Sequence, residues 1–188
     1  MAYLLRSARY LSADVLREAV QPGDTVIDAT MGNGHDTLYL CELVGEEGRV
    51  IAFDVQEKAV ESTRERLAQN GMLERAALYC RGHQHMDECG VQGVAAVIFN
   101  LGWLPGGDKS ITTLWETTRV ALEKGLAMLK KHGVLLLCAY PGHAEGDRER
   151  SEVMNFLASL PPQQYNVLHQ RFLNAGPGAP ENFVIQRQ

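Results

Sequence analysis

Ten residues, Asp28-Ala29-Thr30-Met31-Gly32-Asn33-Gly34-His35-Asp36-Thr37, constrain the fold of this chain more than any others. The apolar run Thr25-Val26-Ile27 precedes them and reads as a buried strand. Leu38-Tyr39-Leu40-Cys41-Glu42-Leu43-Val44 follows and reads as a helix. A strand that turns through a glycine-rich bend into a helix leaves backbone N–H groups bare at its C-terminal edge. Glycine suits the bend because a Cβ would block a ligand's approach and because φ > 0 costs it nothing. The next apolar run, Arg49-Val50-Ile51-Ala52-Phe53, ends on Asp54. An acidic group at the tip of the second strand is where nucleotide-binding α/β folds hold a ribose diol. The two signals together point to an adenosine-containing cofactor.

Glycine spacing narrows the choice. A dinucleotide fingerprint asks for G-x-G-x-x-G, with the third glycine allowing tight helix–strand contact. Gly32 and Gly34 fit that pattern, but Thr37 stands at the third position. The first strand also ends on a carboxylate, Asp28. A carboxylate repels a pyrophosphate, whereas it suits the amino and sulfonium cations of S-adenosyl-L-methionine. The form Asp-x-x-x-Gly-x-Gly therefore favours that donor over NAD. A non-catalytic or NAD-binding Rossmann module is the competing reading.

Beyond the bend, strands and helices alternate with short connections, the pattern of a mostly parallel sheet covered on both faces. The pattern predicts helices over 3–20, 35–45, 57–69, 111–131 and 145–159. Strands are expected at 24–29, 49–54, 76–80, 94–99 and 134–140. A closing antiparallel hairpin, 164–173 with 182–187, would flank the Gly/Pro-rich stretch Asn174–Pro180. The 188 residues fit one α/β domain spanning 1–188, with no repeat or linker to divide it. No apolar run approaches bilayer-spanning length and the N-terminus lacks a signal-peptide layout, so a cytoplasmic location without a membrane partner is expected. Cys41, Cys80, Cys89 and Cys138 show no C-x-x-C pairing and are expected to be buried free thiols. His83 and His85 lack a third ligand at metal spacing, so no metal site is expected.

A second chemical signal follows the fourth strand: Asn100-Leu101-Gly102-Trp103-Leu104-Pro105-Gly106-Gly107-Asp108-Lys109. Ligands of open α/β sheets bind outside the carboxyl ends of strands, where the strand order reverses. With strand four beside strand one, Asn100 faces the reactive end of the cofactor. The segment resembles the Asn-Pro-Pro-Tyr element of amino-methylating enzymes, with Leu101-Gly102 in place of the prolines and Trp103 at the aromatic position.

Four blocks carry a wider resemblance: Asp28–Thr37, Phe53-Asp54-Val55-Gln56, Asn100–Lys109 with Ser110-Ile111-Thr112-Thr113, and Tyr140-Pro141-Gly142-His143. They resemble the signature blocks of the rRNA methylase family, a group of S-adenosylmethionine-dependent enzymes that includes tRNA methyltransferases acting on 5-aminomethyl-2-thiouridine at the wobble position. The resemblance implies a Rossmann-like class I methyltransferase fold with seven strands. It implies S-adenosyl-L-methionine as donor and the wobble aminomethyl nitrogen of a tRNA anticodon loop as acceptor. Methylation of rRNA or of a small-molecule amine is the alternative within the same fold, and docking across a homodimer is compatible with it. Cofactor contacts are expected from Asp28, Thr30, Gly32, Asn33, Gly34, Asp36, Thr37, Asp54, Gln56, His83 and Asn100. Acceptor contacts are expected from Leu101, Trp103, Pro105, Gly106, Gly107, Lys109 and Tyr140. Trp103 departs from the family's Tyr, and Cys80-Arg81-Gly82-His83-Gln84-His85 departs from its His-Asp-Ser-His form.

The acceptor amine must be neutral to react. At the pKa of a lysine-like amine, deprotonation at pH 7 costs roughly 4.6 kcal/mol. A pocket that desolvates the ammonium and accepts hydrogen bonds through Asn100 and the Leu101 carbonyl would reduce that cost, with Asp108, His143 or bulk water to take the proton. The formal net charge of −5 excludes bulk electrostatic attraction to RNA, leaving local patches such as Arg6, Arg9, Arg17, Lys109, Arg148 and Arg150.

Overall fold

A computed structural model describes residues 8–188, so residues 3–7 of the expected first helix, with Arg6, lie outside the described residues, as does the side chain of Arg9. Seven strands form one sheet in the order β3-β2-β1-β4-β5-β7-β6. They are β1 (Thr25–Asp28), β2 (Arg49–Asp54), β3 (Ala76–Cys80), β4 (Val94–Asn100), β5 (Leu129–Ala139), β6 (Tyr165–Gln170) and β7 (Glu181–Arg187). The first five run parallel; β7 pairs antiparallel with both β5 and β6, which gives the expected closing hairpin. From β1 the chain winds outward through β2 and β3, then returns to lay β4 on the other side of β1. Adjacent strands whose connections run in opposite directions leave a crevice at their carboxyl ends. Asp28 and Asn100 mark that crevice.

Buried parallel strands must satisfy both faces, and alternate residues do so. Ile27, Val97, Phe99, Leu135 and Leu137 pack on one face with Leu122, Leu126, Val153 and Leu157, from helices α4 (Trp115–Met128) and α5 (Ala144–Ala158). Val26, Val50, Ala96, Ile98 and Leu136 pack on the other with Leu16, Leu40 and Val44, from α1 (Ala8–Ala19) and α2 (His35–Val44). Helix α3 (Glu57–Gln69) buries its narrow apolar edge of Ala59, Val60 and Leu67.

Several boundaries differ from expectation. Helix α4 starts at Trp115 instead of 111, because Trp103 and Thr112 form an antiparallel bridge that holds the preceding residues extended. It ends at Met128, and β5 begins at Leu129, paired with Val94. The pairing register then slips before Ala96 meets Val134, and His132 takes a φ of 65°. His132-Gly133 thus marks a strand irregularity instead of a helix end. A 3-10 helix at His83–Cys89, with no counterpart in the sequence pattern, packs Met86 into the core. Cys80 is exposed at the end of edge strand β3, a correction to the expectation of four buried thiols; Cys41 and Cys138 are buried and Cys89 partly so. Among the described residues no helix is long and apolar enough to cross a membrane.

Candidate active site

A cleft of about 530 Å³ opens at the carboxyl ends of β1, β2 and β4. One wall is the loop after β1. Gly32 takes a φ of 50° and Gly34 a φ of 76°, the left-handed region that glycine enters without strain. A Cβ on Gly34 would meet the Thr63 backbone at 2.8 Å, so this glycine lets α3 pack under the loop. Gly32 faces the cleft, and its amide donates to Asp54 Oδ2 at 3.0 Å. Asp54 Oδ1 accepts from the Gln56 amide at 3.0 Å, which fixes the carboxylate at the rim. Burial raises the Asp54 pKa, opposed by these backbone bonds.

The opposite wall is the segment after β4, and three hydrogen bonds tie the walls together. The Asn100 amide donates to Thr30 Oγ1 at 2.7 Å. Asn100 Nδ2 donates to Asp36 Oδ2 at 2.9 Å, and Asn33 Nδ2 donates to the Pro105 carbonyl at 3.2 Å. With its NH₂ group engaged by Asp36, the Asn100 side chain keeps its carbonyl Oδ1 as acceptor.

Of the expected site residues, the structure gathers Thr30, Gly32, Asn33, Asp36, Asp54, Gln56, His83, Asn100, Leu101, Trp103, Pro105, Tyr140 and His143 around this cleft. It does not bring Asp28, Gly34 or Thr37 to the surface of the cleft. Asp28 is fully buried beneath the loop, where Oδ2 accepts from Thr37 Oγ1 at 2.7 Å and Oδ1 from the Thr30 amide at 3.2 Å. Burial pushes its pKa up to about 7, and the carboxylates of Asp36 and Asp54 push the same way against those bonds. Asp28 therefore shapes the loop from below, and the Thr37 hydroxyl is bonded to it.

The outer part of the second loop also departs from expectation. Gly106 and Gly107 close a turn in which the Gly107 amide donates to the Leu104 carbonyl at 2.8 Å, away from the cleft. Asp108 is not among the residues lining the cleft and accepts from the Ser110 amide at 2.8 Å, a bond that lowers its pKa. Lys109 lies outside the cleft with Nζ 5.3 Å from the Trp103 ring centroid, within cation–π range. His143 lines the cleft, but its Nδ1 accepts from the Gly146 amide at 3.2 Å as the N-cap of α5. Its ring packs 4.4 Å from Trp103, centroid to centroid. Its Nδ1 is thus engaged by the cap, while its Nε2 is buried without a protein partner.

His83 closes the far end. It is buried, its ring donates to the Ala29 carbonyl, and desolvation lowers its pKa to about 4. Its Nε2 has no protein partner. A buried, neutral imidazole nitrogen without a partner is an acceptor reserved for a donor group, as an adenine amine would supply. Together with the rim carboxylate of Asp54 and the largely apolar cleft, it fits S-adenosylmethionine; a triphosphate would find no lysine here.

Arg81, Gln84, Thr113, Leu114 and Thr117 also line the cleft, and the sequence pattern did not single them out as site residues. It also missed Glu149, a buried carboxylate on α5 that reaches the acceptor loop. The Ser110-Ile111-Thr112-Thr113 block was a signal for the threonines; a Glu among charged helix residues gave none. Among the described residues Arg17 pairs with Asp14, Arg148 with Glu116 and Arg150 with Glu181. Among the described residues no cluster of three or more His, Cys, Asp or Glu could hold a metal ion.

Comparison with known proteins places this architecture among class I methyltransferases. A Clostridium thermocellum structure described as an rRNA-methylase superposes with a TM-score of 0.97 at 38% identity, covering 99% of this chain and all of its own. A "putative methyltransferase from Streptococcus mutans in complex with SAH" gives 0.90 at 35% identity, covering 98% and 100%. The family profile described as "Putative rRNA methylase" matches residues 50–186, and an isoaspartate O-methyltransferase profile matches residues 6–93. An Arabidopsis thaliana protein named tRNA (mnm(5)s(2)U34)-methyltransferase, chloroplastic, is 41% identical over 184 residues, covering 93% of this chain and 67% of its own. The chain belongs to the rRNA methylase family.

Proposed function

We propose that this methyltransferase uses S-adenosylmethionine to methylate an amine nitrogen of RNA, and that the acceptor is the aminomethyl group of 5-aminomethyl-2-thiouridine at the tRNA wobble position. The observation that carries the reading is the placement of Asn100. Its backbone and NH₂ group are fastened to the donor-side loop, and its remaining acceptor atom borders the cleft. An amide oxygen so fixed accepts a hydrogen bond from an amine and turns the nitrogen lone pair toward the methyl. The identity to the Arabidopsis wobble-uridine enzyme supports the choice of nucleotide.

Asp54 would hold the ribose diol and His83 the adenine. The donor supplies a methyl already activated on sulfur, so the protein's share is alignment and desolvation. Leu101 and Leu104 are buried beside Asn100 and keep water from the reacting amine. Trp103 and Tyr140 flank the opening and offer stacking surfaces for a base turned out of the anticodon loop. As the amine nitrogen takes the methyl it gives up a proton. Asp36, bonded to Asn100 and facing the cleft, is the carboxylate positioned to receive it, in place of Asp108 or His143.

The test is incubation of the protein with isotopically labelled S-adenosylmethionine and tRNA lacking the mark, followed by nucleoside mass spectrometry. Label in 5-methylaminomethyl-2-thiouridine is expected. Label confined to rRNA or to a free amine, or none in either RNA, would overturn the assignment.

A further inference from the structure

Helix α5 carries a buried carboxylate that the chemistry above leaves unused. Glu149 is 3% exposed, and both its oxygens accept short hydrogen bonds. Oε2 accepts from Thr113 Oγ1 at 2.6 Å and Oε1 from Thr118 Oγ1 at 2.6 Å. Thr113 lies on the acceptor loop and Thr118 on α4, so one carboxylate spans two elements. The Thr113 hydroxyl also accepts from the Gly102 amide at 2.8 Å, and the Thr113 amide donates to the Gly102 carbonyl at 3.0 Å. Gly102 lies between Leu101 and Trp103. Six residues before Glu149, the N-cap of the same helix, His143, packs on the Trp103 ring.

A carboxylate with no cation beside it is costly to bury, because desolvation of the charge is offset only by the bonds it accepts. No hydrogen bond or ion pair joins Glu149 to a lysine or arginine among the described residues. A hydrophobic residue would fill the space at lower cost, so the carboxylate matters for what it holds. It holds Thr113, and through Thr113 the backbone of Gly102.

We infer that Glu149 is a positioning residue: through Thr113 it fixes the Gly102–Thr113 loop and, with His143, sets Trp103 at the acceptor side of the cleft. This rests on the reading of that side as the place where the amine-bearing base binds. Asp54 and His83 on the donor side have their own hydrogen bonds, to Gly32, Gln56 and Ala29, none of which involves Glu149 or Thr113.

The test compares Glu149→Gln and Thr113→Val with the wild type in two measurements. The first is hydrogen exchange of peptides covering 101–114, read without RNA. The second is steady-state methyl transfer to tRNA with donor and acceptor varied separately. Glu149→Gln keeps the size of the side chain but leaves only one oxygen to accept both hydroxyls. Both variants should speed exchange in 101–114 tenfold or more, while exchange in β1, β4 and α2 and the affinity for S-adenosylhomocysteine stay within twofold. The KM for tRNA should rise at least fivefold, with the KM for the donor unchanged. Thr113→Ser, which retains the hydroxyl, should restore wild-type exchange. Unchanged exchange in 101–114 in folded Glu149→Gln would overturn the inference. If Glu149→Gln fails to fold, unchanged exchange in Thr113→Val overturns it equally. If the wild type does not methylate tRNA, the exchange result still decides the role of Glu149 while the functional reading falls separately.

Discussion

Asn100 Nδ2 donates to Asp36 Oδ2 at 2.9 Å, joining the end of β4 to the first turn of α2, 64 residues apart in the chain. The bond orients an amide that would otherwise rotate freely, and it leaves the amide's oxygen for the acceptor amine. Asn100→Ala removes that oxygen without touching Asp54 or His83. Turnover should fall about 100-fold, on the order of the loss of one fixed polar contact at a reacting centre. Affinity for S-adenosylhomocysteine should change less than threefold, as read by isothermal titration.

Asp54 occupies the opposite role. Its two oxygens already accept from Gly32 and Gln56, so Asp54→Ala loses both the diol ligand and the anchor of the glycine loop. Charge-assisted hydrogen bonds contribute about 1.5–3 kcal/mol each, so affinity for S-adenosylhomocysteine should weaken by at least ~10-fold. Titration of the variant with the same ligand measures it, and NAD should bind neither protein.

His83 makes stability depend on pH. Its folded pKa of about 4 lies below the ordinary 6.5, so the neutral ring contributes stability that is present above 6.5 and lost as pH falls toward 4. Between pH 8 and pH 5 the loss attributable to this group is about 2 kcal/mol. Asp28, whose folded pKa is raised to about 7, acts with the opposite sign: its contribution is present below the ordinary carboxylate range and is lost as pH rises through 7. Urea unfolding of wild type and His83→Gln at both pH values separates them. The variant should lack the His83 share of the acid-side loss and keep the Asp28 trend.

Gly34→Ala should destabilise the protein by at least about 2 kcal/mol, since φ is 76° and the new Cβ would collide with the Thr63 backbone. Gly106→Ala has a φ of 77° but open space around the new Cβ, so its cost should be near 1 kcal/mol by the same principles. Denaturant midpoints of the two variants measure the difference.

Much of this was legible in the sequence. The continuous apolar runs of β1, β2 and β4 announced strands buried on both faces, and the Gly32–Gly34 bend with Asp54 marked the crevice between them. Asn100 could be placed because strand order puts β4 beside β1. Side-chain direction was harder to read. Asp28 and Asp54 both end strands, yet one points down into the loop and the other lies at the rim, which depends on packing that residue identity does not encode. Asp108 and His143 have suitable chemistry, but a local turn bond engages Asp108 Oδ1 and a helix cap engages His143 Nδ1, neither of which residue identity announces. The start of α4 was misplaced because Thr112 pairs with Trp103, a tertiary contact with no local signature. Glu149 was invisible for the same reason: only the fold shows that it lies inside.

A crystal structure of the protein with S-adenosylhomocysteine would show whether the cleft presents the methyl donor to Asn100. The ribose hydroxyls should lie on Asp54, the adenine amine near His83 Nε2, and the sulfur turned toward Asn100. Ribose bound away from Asp54, or a sulfur facing away from Asn100 toward β2, would contradict that arrangement.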